Sequence, residues 1–386
     1  MTNQKRSRIL ALDLLRGAFL MAIIVDHLGW GPSLFHLVTG GGRMFASPAE
    51  GFFAISGILV GYIYGPRIAR SFTATLSKLW KRAGLLWSLS VVSTLVFTAL
   101  AVSFPHLTGL PPIWERSADS FLINTLLGRY AYGWADFLPR YAVFMLAAPF
   151  ILWLIAKGKA WVVALGSVGI YALFAKTALF LPFSAWEIIF VPSIIVGYYL
   201  PTIEKSCLSL RPALQTHLLA GVWASAVVTF CVSSAVFILF PMLGISYPAL
   251  DAFVAHIAPY FDKETVAIGR LALGTLWFVA LYSFVRIHES RIHRYSLGIL
   301  EVFGTKSLYT YCIHAVVVFI LATLAPVDGA TTIVDSTLTA GMVLVLMYVL
   351  VRSTAIAQFT HLDLYRTTLQ RLLRYNRRYE STGVRS

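Results

Sequence analysis

Charged residues are scarce in this sequence: Asp, Glu, Lys and Arg make up only 12% of its 386 residues, while 58% are hydrophobic. This balance excludes an ordinary soluble domain and indicates an integral membrane protein. Cysteine is also scarce, and the three cysteines show neither the spacing of a disulfide framework nor that of a metal site. The sequence contains no Walker phosphate loop, no HExxH motif and no GxSxG motif.

Long apolar segments occupy most of the chain. About twenty apolar residues allow a helix to cross a bilayer, and the segments of this kind are 9–30, 49–66, 80–104, 135–156, 160–181, 184–202, 214–242, 265–287, 298–325 and 335–358. We therefore predict an all-α fold, a polytopic transmembrane helical bundle of about ten membrane-spanning helices. The first segment follows a basic start like that of a signal peptide, but Asp13 and Arg16 interrupt it, so we interpret it as a retained membrane helix. Short interfacial helices are predicted in the longer joints, 105–134 and 243–264.

Lys and Arg residues are distributed unevenly between the two predicted sides of the membrane. With the N-terminus inside, 21 of them fall on the inner side and 5 on the outer side. By the positive-inside rule this asymmetry predicts that the N- and C-termini are both cytoplasmic. It also accounts for the net charge of +14 without nucleic acid as a partner. We divide the chain into a transmembrane domain, residues 1–358, and a basic cytoplasmic tail, residues 359–386, predicted as an amphipathic helix on anionic lipid.

Arg16 and His27 are the most informative residues, because both are ionisable groups inside the first apolar segment. On a helix with about 100° per residue they share one face and lie about 16 Å apart along the axis. An arginine near the centre of a membrane helix costs at least ~2.5–3.5 kcal/mol, so we expect this face to point into a protein-lined or water-filled interior. The alternative is a structural role, with Asp13 pairing with Arg16 three residues later and His27 as an interfacial side chain.

Several acids lie near the ends of predicted spans. Asp26 precedes His27, and Glu50, Asp136 and Glu187 begin the second, fourth and sixth spans on the predicted outer side. A single acid near an interface is usually only solvated there. Several acids at one depth would line one outward-facing pocket together with His27, but the sequence does not establish that they converge.

His314, Arg140 and Arg270 also lie inside predicted spans. His314 is in the ninth span, where it is either a hydrogen-bonded packing residue or part of a site. Arg140 and Arg270 need partners in an apolar surrounding. Asp136, four residues before Arg140, can pair with it on one helix face.

A basic group stands where the third span leaves the inner face. It consists of Lys78, Lys81 and Arg82. The positive-inside rule alone accounts for these residues. The functional alternative is a binding site for a phosphorylated cytosolic donor.

Five segments in order resemble the OpgC family, membrane succinyltransferases of osmoregulated periplasmic glucans within the wider acyltransferase-3 group of membrane O-acyltransferases. The segments are LALDLLRG with His27 beyond it, AEGFFAISGILVGYIYG, DFLPRYAVFMLAAP, AWEIIFVPSIIVGYYL and FGTKSLYTYCIHAVV. The resemblance runs from about residue 8 to about residue 325. Five such segments in order are specific for the family but not for the substrate.

The resemblance implies transfer of an acyl group from cytosolic acyl-CoA to a hydroxyl of a periplasmic glycan, in a multi-pass protein of the bacterial inner membrane. Succinyl-CoA is the expected donor and acetyl-CoA the alternative; no metal is implied. It also implies that the predicted transmembrane domain, residues 1–358, is an acyltransferase domain. The resemblance carries over Arg16 and His27 as an essential pair in the first helix, and Glu50, Asp136 and His314 as motif positions.

The chain departs from the family pattern at two places. The wider group often has Arg-x-x-Arg where the third helix begins, whereas this chain has Lys78 and Lys81 followed by Arg82. The fourth-helix motif usually has an apolar residue where this chain has Arg140. This difference indicates a different acceptor or acyl group. Alternatively, Arg140 is the cation that binds the carboxylate of a succinyl donor.

The residues and the resemblance together give a hypothesis for the mechanism. Histidine has an unperturbed pKa near ~6.5 and can accept a proton from a hydroxyl near neutral pH. We assign His27 as the general base, with Asp26, Glu50 or Asp136 orienting its ring. Arg16 would stabilise the donor or the developing oxyanion. Direct transfer and a covalent acyl-histidine intermediate are both open.

Two other functions are compatible with the sequence. One is an acyltransferase that modifies another cell-envelope polysaccharide. The other is a transporter or flippase with a polar central pathway, which would also bury Arg16 and His27. The oligomeric state is not determined, because lipid-facing and partner-facing apolar surfaces look alike in sequence.

Overall fold

In a computed structural model the described residues are 8–104, 117–175, 177, 181–324 and 332–353. Every regular element within them is helical. The helices are α1 (Leu10–Leu28), α2 (His36–Thr39), α3 (Pro48–Ile68), α4 (Phe72–Ser103), α5 (Ala118–Leu126), α6 (Phe137–Ala156), α7 (Ala160–Phe174), α8 (Leu181–Leu208), α9 (Pro212–Ser234), α10 (Phe240–Met242), α11 (Pro248–Ile257), α12 (Ile268–Tyr295), α13 (Ile299–Thr305), α14 (Ser307–Leu324) and α15 (Ile333–Arg352).

The prediction of an all-helical multi-pass membrane protein is confirmed. Among the described residues, seven helices are long and apolar enough to cross a membrane: α3, α4, α6, α8, α9, α12 and α15. Each of the ten predicted segments contains a helix, but α7 has only 15 residues. Helix α1 carries three charged side chains within 19 residues, and neither α1 nor α7 is among the seven helices. The count of ten spans and the side of each terminus stay predictions, and the predicted tail at 359–386 lies outside the described residues.

The ninth predicted span, 298–325, is not one straight helix. Helices α13 and α14 meet at Lys306 with a bend of 95°. The Lys306 ammonium donates a hydrogen bond to the Val351 carbonyl oxygen of α15 at 2.7 Å. This contact gives the ammonium a polar partner beside the bend. The short helices predicted in the two longer joints are present as α5 and α11.

Helix α1 lies at the centre of the fold, where it packs against α3, α12, α13 and α14. Its contact with α13 is made by two glycines. A Cβ added to Gly17 would lie 1.9 Å from the Leu300 carbonyl oxygen, and one added to Gly304 would lie 1.9 Å from the Asp13 carbonyl oxygen. Small residues let membrane helices approach backbone to backbone. The same contact fixes where α14, which follows α13, stands relative to α1.

Helices α3 and α8 form the most extensive helix pair, and glycine again sets their separation. A Cβ added to Gly61 would lie 2.1 Å from the Ile194 carbonyl oxygen, and one added to Gly197 would lie 2.0 Å from the Ile58 carbonyl oxygen. Since the obstacles are backbone atoms, no rotamer change can make room. Helix α1 packs against α3 of this pair, and α6 packs against both helices.

We predict that Gly61→Ala destabilises the protein by about 1–3 kcal/mol, the usual cost of overpacking. The measurement is the thermal unfolding midpoint of the purified protein in detergent. Gly221→Ala on α9 is the matched control, because nothing lies within 4 Å of its added Cβ. That variant should keep or raise the midpoint, as alanine favours helix over glycine. Equal midpoints for the two variants would contradict the close α3–α8 contact.

Candidate functional site

His27 and His314 lie in direct contact although 287 positions separate them in the chain. His27 is at the end of α1 and is half-buried, whereas His314 in the middle of α14 is 1% exposed. Nδ1 of His27 and Nε2 of His314 are 2.9 Å apart. Nδ1 of His314 in turn contacts the Tyr311 carbonyl oxygen, three residues earlier on the same helix. The three groups form a chain from a backbone carbonyl to the first helix.

The hydrogen bonds assign the tautomer of each neutral ring. A carbonyl oxygen only accepts, so Nδ1 of His314 carries a proton and donates it to Tyr311. Nε2 of His314 is then unprotonated and accepts from Nδ1–H of His27. It follows that Nε2 of His27 has a free lone pair, and it has no hydrogen-bond partner among the described residues. A histidine in this tautomer, half-buried and held at its other nitrogen, is suited to act as a base.

The ring of His27 is oriented by His314 rather than by the predicted acids. The Asp26 carboxylate accepts a hydrogen bond from the Gly41 backbone N–H at 3.0 Å and thus holds the loop after α1. The Asp136 carboxylate forms the ion pair that the sequence predicted with Arg140, at 3.0 Å. Both carboxylates are therefore engaged by other groups, Asp26 by a loop amide and Asp136 by a cation on the next helical turn.

Glu50 belongs to a buried ion pair instead of the His27 surroundings. Nε of Arg270 on α12 lies 3.2 Å from the Glu50 carboxylate, with the two side chains 1% and 7% exposed. The Arg270 guanidinium also donates to the carbonyl oxygens of Met44 and Phe45. Glu50 caps the start of α3 by accepting from the Ser47 backbone N–H at 2.8 Å. The pair supplies the partner that Arg270 needs and ties α12 to the start of α3.

Glu187, the remaining acid of the predicted outward-facing group, lies on the α7–α8 contact. Its carboxylate accepts a hydrogen bond from the Ser167 hydroxyl at 2.8 Å. The residue is 6% exposed, and its other oxygen has no hydrogen-bond partner in the described part of the chain. The four acids therefore have separate partners and do not form one cluster around His27.

Arg16 lies in an aromatic surrounding without an ion-pair partner among the described residues. It is 9% exposed, and its guanidinium carbon lies 5.2 Å from the centre of the Phe52 ring. The Tyr141 side chain is its polar neighbour. The guanidinium carbon of Arg82 lies 5.7 Å from the centre of the same Tyr141 ring, with Tyr64 as a further polar neighbour. Two guanidinium groups thus share one tyrosine.

Asp13 and Arg16 form no direct ion pair in the described part of the chain, although Asp13 lies near enough to attract the Arg16 charge. Asp13 forms its ion pair with Arg8, whose guanidinium also lies 3.2 Å from the Glu301 carboxylate on α13. Asp13 therefore joins α1 to α13 at the start of the helix. Arg16 is left with a buried Nε that has no hydrogen-bond partner among the described residues. An unpaired buried cation of this kind favours an anionic ligand.

The basic group at the start of α4 separates into two kinds of residue. Lys78 and Lys81 are exposed, whereas Arg82 is half-buried and turns toward Tyr141. Only Arg82 therefore joins Arg16. Tyr141 and Tyr311, which sequence reasoning missed, stand within the quoted motifs DFLPRYAVFMLAAP and FGTKSLYTYCIHAVV. Tyr141 directly follows Arg140, and an aromatic hydroxyl beside an intramembrane charge was the available signal.

The family of this chain is established by comparison with known proteins. The sequence model of the OpgC protein family matches residues 8–358. The chain belongs to the OpgC family. No curated protein and no solved structure matches it. Membership in this family indicates a membrane transferase with a glucan-modifying, acyltransferase-like function. Within the described residues of this OpgC chain, no group of three or more His, Cys, Asp or Glu could hold a metal ion.

We predict that Glu50→Gln lowers the free energy of unfolding by about 3–5 kcal/mol, because it leaves the buried Arg270 without its charge partner. Asp136→Asn is the matched control. It also breaks an arginine pair, but the Asp136 side chain is 46% exposed, so the expected cost is below about 1 kcal/mol. Unfolding of both variants in detergent is the measurement. Equal losses would contradict a structural role for Glu50.

Proposed function

We propose that this protein transfers an acyl group, succinyl rather than acetyl, from cytosolic acyl-CoA to a hydroxyl of an osmoregulated periplasmic glucan in the bacterial inner membrane. The observation that carries the proposal is the His27–His314 contact, which leaves Nε2 of His27 unprotonated. Membership in the OpgC family supports the reaction class and the glucan. Residues 1–358 form the acyltransferase domain, and 359–386 a cytoplasmic tail.

The reaction follows from the free nitrogen of His27. Nε2 removes the proton of the acceptor hydroxyl as its oxygen attacks the thioester carbonyl carbon. The tetrahedral intermediate collapses, the carbon–sulfur bond breaks, and the CoA sulfur leaves with the proton held by His27. An ester and free CoA result. His314 is a positioning residue, because it fixes the tautomer and direction of the His27 ring without touching the reacting atoms.

The second half of the proposal concerns the donor. Arg16 lies on the same helix as His27 but about 16 Å away along its axis, which is too far for direct contact with an oxyanion formed beside His27. We therefore narrow its role to binding the donor. CoA carries phosphates, and arginine binds phosphate or carboxylate oxygens with paired N–H donors. Arg16 and Arg82, both on Tyr141, form a cationic site for such an anion.

We predict that His27→Ala reduces CoA release by about 10²–10⁴-fold, the usual loss for a general base. The assay follows CoA release and acyl transfer from succinyl-CoA and acetyl-CoA by the purified protein with a β-glucan acceptor. His217→Ala, which changes an exposed histidine on α9, is the control and should keep full activity. Full activity of folded His27→Ala would contradict the mechanism. No CoA release by the wild-type protein from either donor would favour a transporter.

His314→Gln tests the positioning role separately. Glutamine keeps a polar side chain but cannot reproduce the carbonyl–imidazole–imidazole chain. We expect kcat to fall while the KM values for donor and acceptor stay near wild type, because neither substrate contacts His314. A rise in KM with unchanged kcat would show that His314 binds substrate instead.

We predict that Arg16→Gln and Arg82→Gln each raise the KM for acyl-CoA by about tenfold or more, since hydrogen bonds to charged groups contribute about 1.5–3 kcal/mol. Thermal stabilisation of these variants by acyl-CoA should weaken in parallel. Lys81→Gln, which removes an exposed cation one residue from Arg82, is the control. An equal rise in all three variants would indicate nonspecific electrostatic attraction rather than a site.

A further inference from the structure

A pocket of about 400 Å³ lies beside the end of α1. Its polar lining includes Asp26, His36 and Arg43, and its apolar lining includes Ile238, Pro241 and Met242. The first group comes from α1 and the loop between α1 and α3, the second from the region where α9 ends. The volume lies in the range of small-molecule sites. The residues of the proposed donor site, Arg16, Arg82 and Tyr141, are not part of this lining.

The loop side of the pocket is held in place by specific hydrogen bonds. The Asp26 carboxylate accepts from the Gly41 backbone N–H. The Ser234 hydroxyl donates to the Leu37 carbonyl oxygen at 2.8 Å, and the Ser233 hydroxyl accepts from the Phe45 backbone N–H at 3.0 Å. The loop is therefore tied both to α1 and to α9, and the pocket between them is preformed.

The α9 side of the pocket has an unusual backbone. Residues Ala235–Leu239 form a π-helix between α9 and α10. Such segments are rare and often occur at functional sites. Here the segment places Ile238 in the pocket wall, with Pro241 and Met242 just beyond it. These three side chains give this part of the pocket lining its hydrocarbon character.

The polar groups favour a neutral polyhydroxy ligand. Burial, and then the nearby Arg43, lower the pKa of His36, so its imidazole is neutral near pH 7 and both donates and accepts. Arg43 is exposed and has no ion-pair partner among the described residues. A sugar ring presents hydroxyls at its edge and C–H groups on its faces. It therefore matches a wall with polar groups on one side and hydrocarbon on the other.

We infer that this pocket binds a sugar unit of the acceptor adjacent to the unit whose hydroxyl reaches His27. Asp26 and His27 are consecutive on α1, so the pocket lies next to the proposed base. Side chains of consecutive residues leave a helix about 100° apart, so a ligand in the pocket does not occupy Nε2 of His27. The inference rests on the proposed function and deepens it: the enzyme recognises an oligosaccharide rather than a single sugar.

The test compares a β-linked gluco-oligosaccharide with glucose as acceptors for His36→Gln, Arg43→Gln and Ile238→Trp, the last of which fills the pocket. Each variant should raise the KM for the oligosaccharide by about tenfold or more. The kcat, the KM for acyl-CoA and the KM for glucose should stay unchanged. Arg129→Gln, which changes an exposed arginine outside the pocket lining, is the matched control. Thermal unfolding midpoints confirm that each variant is folded.

Two results of the kinetic test would overturn the inference while leaving the proposed function intact. One is an unchanged oligosaccharide KM in all three pocket variants, and the other is an equal rise for glucose. Calorimetric binding of the oligosaccharide, measured in parallel, separates the two proposals. Binding that is lost in the pocket variants supports the pocket even if the wild-type protein transfers no acyl group, a result that would overturn only the proposed function. Wild-type protein that binds no oligosaccharide overturns the inference.

Discussion

An ionised side chain inside an apolar bundle needs a partner within the protein, and this constraint organises the structure. Arg270 is matched by Glu50 and two backbone carbonyls, and Lys306 by the carbonyl oxygen of Val351. Each pairing joins elements that are distant in sequence. Arg16 is the exception, because it has aromatic neighbours and a tyrosine but no carboxylate in direct ion-pair contact within the described part of the chain. A cation held in this way is costly unless a ligand supplies the missing charge, which is the physical basis of the proposed donor site.

The contact between His27 and His314 depends on packing far from either residue. Glycines allow α1 and α13 to approach until backbone meets backbone, and the 95° bend at Lys306 then directs α14 back along the end of α1. Without the close approach the imidazole nitrogens would not come within 2.9 Å. The site therefore depends on helix geometry as much as on the two histidines. A larger residue at Gly17 or Gly304 would move α13 away from α1 and so change the His27–His314 distance.

The predicted acids show why position along the sequence assigns too many residues to a site. Asp26, Glu50 and Asp136 stand at similar predicted depths, and each was a reasonable partner for His27. In the fold they hold a loop, a buried arginine and an arginine one helical turn away. Their common depth reflects a common need, since helix ends and loops near an interface require polar anchors. Asp136–Arg140 was predictable because its four-residue spacing is local.

The sequence by itself determined the all-helical membrane fold, the OpgC resemblance and the shared helix face of Arg16 and His27, because hydropathy, motif order and helical period are local properties of the chain. The tertiary structure decided that His314 rather than an acid orients His27, that Arg82 rather than Lys78 or Lys81 joins Arg16, and that Asp13 pairs with Arg8. The physical reason is that these contacts depend on how each helix is rotated and where it bends. Helices that are apolar on nearly every side carry little periodic signal that fixes their rotation.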